Sequence, residues 1–257
     1  MVACAMLSAY FVLRADIARR HLSDSPAAEA EMFIAVPCLA GIAGAKVYHE
    51  LQSPADLFAH PLAQIFSAYG FAWFGGLLAG FTAFVLLAHR HHIPLLQMMD
   101  AGSPAAALGY GVGRIGCLLS GDGDYGTPTS LPWGMSFPNG LVPTGQRVHP
   151  TPIYEFIAAC AIAWLLWRLG AAQIAARDRG RQSAPAKAKP PKGAPSRLPS
   201  GVVFAAYLLL TGFERFLVEF IRINPRSFLG MSNAQAASVL SMLAGAAVWW
   251  TIRRHPA

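Results

Sequence analysis

The run GVVFAAYLLLTGFERFLVEFIR, residues 201–222, decides how this chain is read. A helix that spans a membrane needs about 20 predominantly apolar residues. Residues 201–221 meet that need, and their charges gather at the carboxyl end as Glu214, Arg215 and Glu219, with Arg222 just beyond. Ionisable groups within a span are costly and mark functional sites. At helical spacing Arg215, Glu219 and Arg222 fall within about one sixth of the circumference. Two arginines beside one carboxylate leave a surplus positive charge that a lipid phosphate can neutralise; the alternative is a self-contained salt-bridge ladder. Glu214 points elsewhere and receives no role.

The rest of the chain has the same character. Of its 257 residues 54% are apolar and only 13% charged, about half the charged share of soluble domains. The net charge of +7 sits between apolar runs rather than on one basic face with interleaved aromatics, which argues against nucleic acid. Cys4, Cys38, Cys117 and Cys160 form no CxxC pair and read as ordinary buried residues, not a disulfide framework or zinc site. No metal or cofactor is expected.

Seven apolar runs cover residues 1–13, 32–48, 69–88, 95–119, 153–169, 201–221 and 234–252. The fold class that follows is all-α, a polytopic membrane protein of about seven transmembrane helices, forming a single domain over 1–257. The first run is short, because Arg14 ends it, and is expected to be the tail of a longer first helix. The fourth is rich in Gly and Pro and is expected to be kinked or partly re-entrant. Residues 172–200, rich in Pro, Ala and Lys towards their end, read as a disordered basic linker. With seven spans, the clusters at Arg14–Arg19–Arg20, Arg90, 177–197 and Arg253–Arg254 all lie on one side. The other side holds Arg147, Arg222 and Arg226. The positive-inside rule then puts the basic loops and the carboxyl terminus in the cytoplasm, with the amino terminus and a polar site outside.

Two further motifs accompany the first. In GRIGCLLSGDGDYG, residues 113–126, Arg114 lies in an apolar run and is followed by Cys117, Asp122 and Asp124 among glycines. Arginine is a planar donor suited to phosphate. The aspartates can position a hydroxyl, take a proton or pair with an arginine. In VHPTPIYEF, residues 148–156, Thr151 can cap a helix with Pro152 in its first turn. His149, Tyr154 and Glu155 sit at that helix's outer end, where the histidine can act as a base or the group can serve as cap and interfacial anchor. Lys46, Tyr48 and His49 either extend the polar site or snorkel. His89, Arg90, His91 and His92 read as a cytoplasmic flank, and the small residues of WFGGLLAG, residues 73–80, as close helix packing. Three spans thus bring charge to one leaflet, as a site for a charged amphiphile such as a phospholipid would.

These motifs, with PWGMSFP at 132–138, GAKVY at 44–48 and the FGGL step at 74–77, resemble the bacterial prolipoprotein diacylglyceryl transferases over nearly the whole chain. The resemblance implies an inner-membrane enzyme that moves a diacylglyceryl group from phosphatidylglycerol to the lipobox cysteine thiol of a prolipoprotein signal peptide. It assigns Arg114 to the phospholipid and makes Arg215 and Glu219 essential. It leaves His149, Asp122 or Asp124 to handle the proton, and Arg222, Tyr154, Glu155 and Cys117 to line the substrate site. The chain departs from the family pattern at Phe74, where the family has His, and at Cys117, where it has Asn. The Gly-Asp-Gly-Asp step replaces a single Glu, so Asp122 and Asp124 compete for one role.

Overall fold

The structure, a computed structural model, describes residues 1–52, 72–182, 198–226 and 230–254. Within the described residues each of the seven apolar runs carries one helix: α1 (Val2–Arg20), α2 (Pro26–Gln52), α3 (Trp73–Arg90), α4 (Leu95–Ser120), α5 (Thr151–Gln182), α6 (Val202–Val218) and α7 (Asn233–Arg254). A two-stranded antiparallel hairpin, β1 (Met135–Phe137) and β2 (Thr144–Val148), lies between α4 and α5. Among the described residues three stretches are long and apolar enough to cross a membrane: Pro26–Gln52, Thr151–Arg179 and Asn233–Arg254.

Three expectations change. First, α1 continues past Arg14 to Arg20, where Asp16 accepts from Arg19 Nε at 2.7 Å and from Arg20 Nε at 2.7 Å and so offsets part of the charge of the basic end. Second, of the two forms expected for the fourth run, kinked or partly re-entrant, the partly re-entrant one gives way to a single uninterrupted helix, α4, of 26 residues with Pro104 inside it. Third, α5 runs through Gln182, so residues 172–182 are helical where a linker was expected. Residues 183–197 lie outside the described residues.

The described chain falls into two compact units. The smaller, residues 21–98, is built on α2 against α3. Glycines set their approach: a Cβ on Gly44 would stand 2.6 Å from the Gly75 carbonyl oxygen, so the backbones touch as small-residue membrane packing allows. Phe33 meets Phe84 edge-on with centroids 5.2 Å apart. Lys46 pairs with Glu50 at 3.1 Å, and His91 with Glu29 at 3.0 Å.

The larger unit, residues 1–20 and 99–257, holds an apolar layer between two polar ones. Ala107, Ile162, Ala163, Leu166 and Val203 form the apolar layer. At one end Asp100, fully buried, accepts hydrogen bonds from the backbone N–H groups of Gly201 (2.8 Å) and Phe204 (2.9 Å). It thereby satisfies donors that α6 cannot satisfy itself and sets a negative charge at the positive end of that helix. Gln173 donates to Asp100 at 2.8 Å and accepts from Arg20 at 2.7 Å, which ties α1, α4, α5 and α6 together. α7 runs antiparallel to α6, since Gly212 faces Ser238 while Gly245 faces Ala205. Arg253 and Arg254 therefore end near the Asp100 layer. The second polar layer is built around Arg114. At about 1.5 Å per residue along α4 it lies roughly 20 Å from Asp100.

Candidate active site

The second layer is assembled from the carboxyl end of α4, the first turn of α5, the end of α6 and the loop between α4 and α5. Gly121 and Gly123 have φ of +57° and +92°, a backbone region that residues with a Cβ rarely enter. They turn the chain sharply after α4. The loop's residues 126–129 then lie between two other extended pieces: Gly126 N–H donates to the His149 carbonyl at 2.8 Å, and Thr127 N–H to the Ile221 carbonyl at 2.8 Å. Thr151 was expected to cap α5. Its hydroxyl instead donates to the Asp124 carbonyl at 2.6 Å, which fixes the backbone of that residue.

Six charged side chains meet here. Glu155, fully buried, is the centre. Its Oε2 accepts from Arg114 Nε at 2.7 Å. Its Oε1 accepts from Arg215 Nη1 at 2.6 Å, Tyr110 hydroxyl at 2.9 Å and Arg222 Nη1 at 3.5 Å. Asp124 bridges two of the arginines. One carboxylate oxygen accepts from Arg114 Nη1 and the other from Arg222 Nη2. Glu219 lies 3.3 Å from Arg215 Nη2 and accepts from Asn224 Nδ2 at 2.6 Å. Burial favours the neutral form of the Asp124 carboxyl, but the hydrogen bond and charge of Arg114, with Arg222 and Arg215, hold it below the usual carboxylate range.

Several expectations are refined. Arg215, Glu219 and Arg222 do not form one straight helical stripe. The helix tightens to a 3-10 turn over Glu219–Ile221, and Arg222 follows in extended conformation, so its side chain reaches Asp124 from outside the helix. The surplus positive charge disappears as well. Three arginines face three carboxylates, because Glu155 and Asp124 supply the charges missing from the stripe. Asp124, not Asp122, pairs with the arginines, while Asp122 accepts the backbone N–H of Asp124 at 3.2 Å. Cys117 accepts a weak hydrogen bond from Arg114 Nη1 at 3.4 Å. His149 stays outside the arginine cluster. Its Nδ1 lies 3.2 Å from the Tyr154 hydroxyl, which also accepts from Trp133 Nε1 at 2.8 Å. Glu214, given no role, has a buried oxygen with no hydrogen-bond partner among the described residues. Tyr110 and Asn224 went unnoticed in the sequence, although Tyr110 stands one helical turn before Arg114 and that spacing was a usable signal.

Among the described residues one group of side chains has its potential ligand atoms within 4.8 Å of one another, Cys117, Asp122 and Asp124. Asp124 is already committed to two guanidinium groups, so the set is better suited to a proton and an arginine than to a cation. Chemically, the cluster offers three fixed guanidinium groups, the donor type best matched to phosphate oxygens, with Glu155 at its buried centre and Asp124 on its more exposed side.

Comparison with known proteins agrees with this chemistry. The model of the prolipoprotein diacylglyceryl transferase family matches residues 1–251. The phosphatidylglycerol–prolipoprotein diacylglyceryl transferase of Clostridium tetani is 30% identical over 213 residues, 82% of this chain and 75% of the relative. Those of Bordetella bronchiseptica and Verminephrobacter eiseniae are 29% and 33% identical, over 96% and 79% of this chain and 87% and 67% of theirs. The family match takes in six helices, nearly all of the seventh and every member of the charged cluster: the chain is a membrane transferase that belongs to the prolipoprotein diacylglyceryl transferase family.

Proposed function

We propose that this chain transfers the diacylglyceryl group of phosphatidylglycerol to the thiol of a lipobox cysteine in a prolipoprotein signal peptide. The observation that carries the reading is the convergence of Arg114, Arg215 and Arg222 on one buried centre, within a chain matched by that family almost from end to end. The thiol reacts as thiolate. Its sulfur attacks the glyceryl carbon, and the carbon–oxygen bond breaks with its electron pair on the phosphate. Arginine donors preorganised for that oxygen stabilise the charge as it develops. Arg114 and Arg222 would hold the phosphate, and Glu155 and Glu219 would orient the arginines.

In this reading the chain crosses the bacterial inner membrane seven times, amino terminus outside, with the site near the outer leaflet. Support comes from the larger unit. The basic ends of α1 and α7 gather with Asp100 at the end of the bundle opposite Arg114, as the positive-inside rule requires of a cytoplasmic face.

The test is mass spectrometry of a lipobox peptide incubated with the protein and phosphatidylglycerol. A diacylglyceryl mass increase is expected, and Arg114→Ala should lose at least about 10²-fold in rate while still inserting. Undiminished transfer by that variant refutes the assignment of Arg114. A second reading, a relative that binds the lipid without transferring it, draws on Phe74 at the position where the family carries histidine. It predicts lipid binding without any mass increase.

A further inference from the structure

We infer that Asp124 occupies the place of the lipid phosphate in the resting protein, that the incoming phosphate displaces its side chain, and that the displaced carboxylate is the proton acceptor for the thiol. The inference rests on the function proposed above and adds to it the identity of the base and how binding frees it.

Geometry makes Asp124 the replaceable member of the cluster. Its two oxygens bridge Arg114 Nη1 and Arg222 Nη2, as two oxygens of a phosphodiester would, since both groups present a planar O–X–O fork to guanidinium. Its side chain is 35% exposed, against 0% for Glu155 and 1% for Glu219. Glu155 is held on α5 by four separate groups. Asp124 stands on a glycine-flanked loop with its backbone fixed by Thr151, so a rotation of the side chain alone releases the arginines. Arg222 keeps a spare donor: its Nε is buried, lies 3.9 Å from Glu219 and has no hydrogen-bond partner among the described residues. A phosphate, with more acceptor positions than a carboxylate, can use it.

The exchange is electrically even. Buried arginines need a counter-charge throughout, and a phosphodiester monoanion replaces one carboxylate. Freed from both guanidinium groups and placed beside a phosphate, Asp124 loses what kept it a weak base. It stays next to Cys117 and Asp122, on the open side of the cluster. The thiol proton then passes to Asp124, the sulfur electron pair forms the S–C bond, and the C–O bond breaks towards phosphate. The proton held by Asp124 ends on the departing phosphate. His149 stands apart from the arginines, with its Nδ1 3.2 Å from the Tyr154 hydroxyl.

The test is the steady-state kinetics of Asp124→Asn, with phosphatidylglycerol titrated in mixed micelles against a lipobox peptide. Removing the competing carboxylate should lower KM for phosphatidylglycerol several-fold, and loss of the base should lower kcat by about 10²–10⁴-fold. Asp124→Glu should restore part of kcat. A merely structural role moves KM upwards or not at all, and that result overturns the displacement; a lowered KM with unchanged kcat overturns the base. Should Asp124→Asn fail to fold, the wild-type protein still decides. Its isotope-edited carboxylate infrared band must shift when phosphatidylglycerol is added, and an unchanged band refutes the exchange. Absence of any transfer by the wild type refutes the proposed function instead, and tighter binding of labelled phosphatidylglycerol to the variant would then still register the displacement.

Discussion

Replacing Glu155 by glutamine changes little in volume and much in charge. In the native site Glu155 is fully buried and accepts from Arg114, Arg215, Arg222 and Tyr110. Glutamine keeps one acceptor but turns an NH2 group towards guanidinium donors. It also leaves three arginines against two carboxylates. Removing one partner of a buried pair costs about 3–5 kcal/mol, chiefly as the penalty for the charge left behind. In a protein of this size each kcal/mol moves Tm by roughly 2–4 °C, so Glu155→Gln should melt roughly 6–20 °C below wild type in detergent. The double variant Glu155→Gln/Arg215→Gln restores equal numbers of positive and negative groups. It should regain part of the loss, with an interaction energy of about 1–3 kcal/mol in the double-mutant cycle. A single variant that melts within about 2 °C of wild type, or a double variant whose cost is the plain sum, would refute the placing of Glu155 at the charged centre.

Two further outcomes are expected. Asp100→Ala should cost about 2 kcal/mol, because it strips partners from Gly201, Phe204 and Gln173; faster hydrogen exchange at the amides of residues 201–204 checks it. Asp124 titrates lower folded than unfolded, so its contribution to stability is complete above the ordinary carboxyl value of about 3.9 and disappears as pH falls through the lowered folded value. Unfolding midpoints measured from pH 5 downwards should therefore show a smaller acid-side decline in Asp124→Asn than in wild type.

Much of this was legible in the sequence because hydropathy is a local property. Each apolar run became a helix, and the arginines that could not be explained as flanks met in one place. Glu155 shows where legibility stopped. Its arginine partners lie 41, 60 and 67 positions away, and the Thr-Pro start beside it gave a sufficient local reason, helix capping, for a polar residue there. The choice between Asp122 and Asp124 depended on two positive-φ glycines that turn one carboxylate towards the arginines and the other back onto the loop. Spacing alone carries no such information. The 3-10 turn before Arg222 is equally silent, because Glu219–Ile221 has ordinary helical composition.

The order of the six clustered residues along the chain has a bearing on how the protein is made. From the amino end their signs run plus at Arg114, minus at Asp124, minus at Glu155, plus at Arg215, minus at Glu219 and plus at Arg222. As synthesis delivers them in turn, the charge awaiting a partner never exceeds one unit of either sign. Asp124 and Arg222 are 98 positions apart, which at about 5–20 residues per second is roughly 5–20 s of elongation. Within that interval Arg114, its neighbour at ten positions, is already made, so a short-range partner for Asp124 exists before α6 is complete.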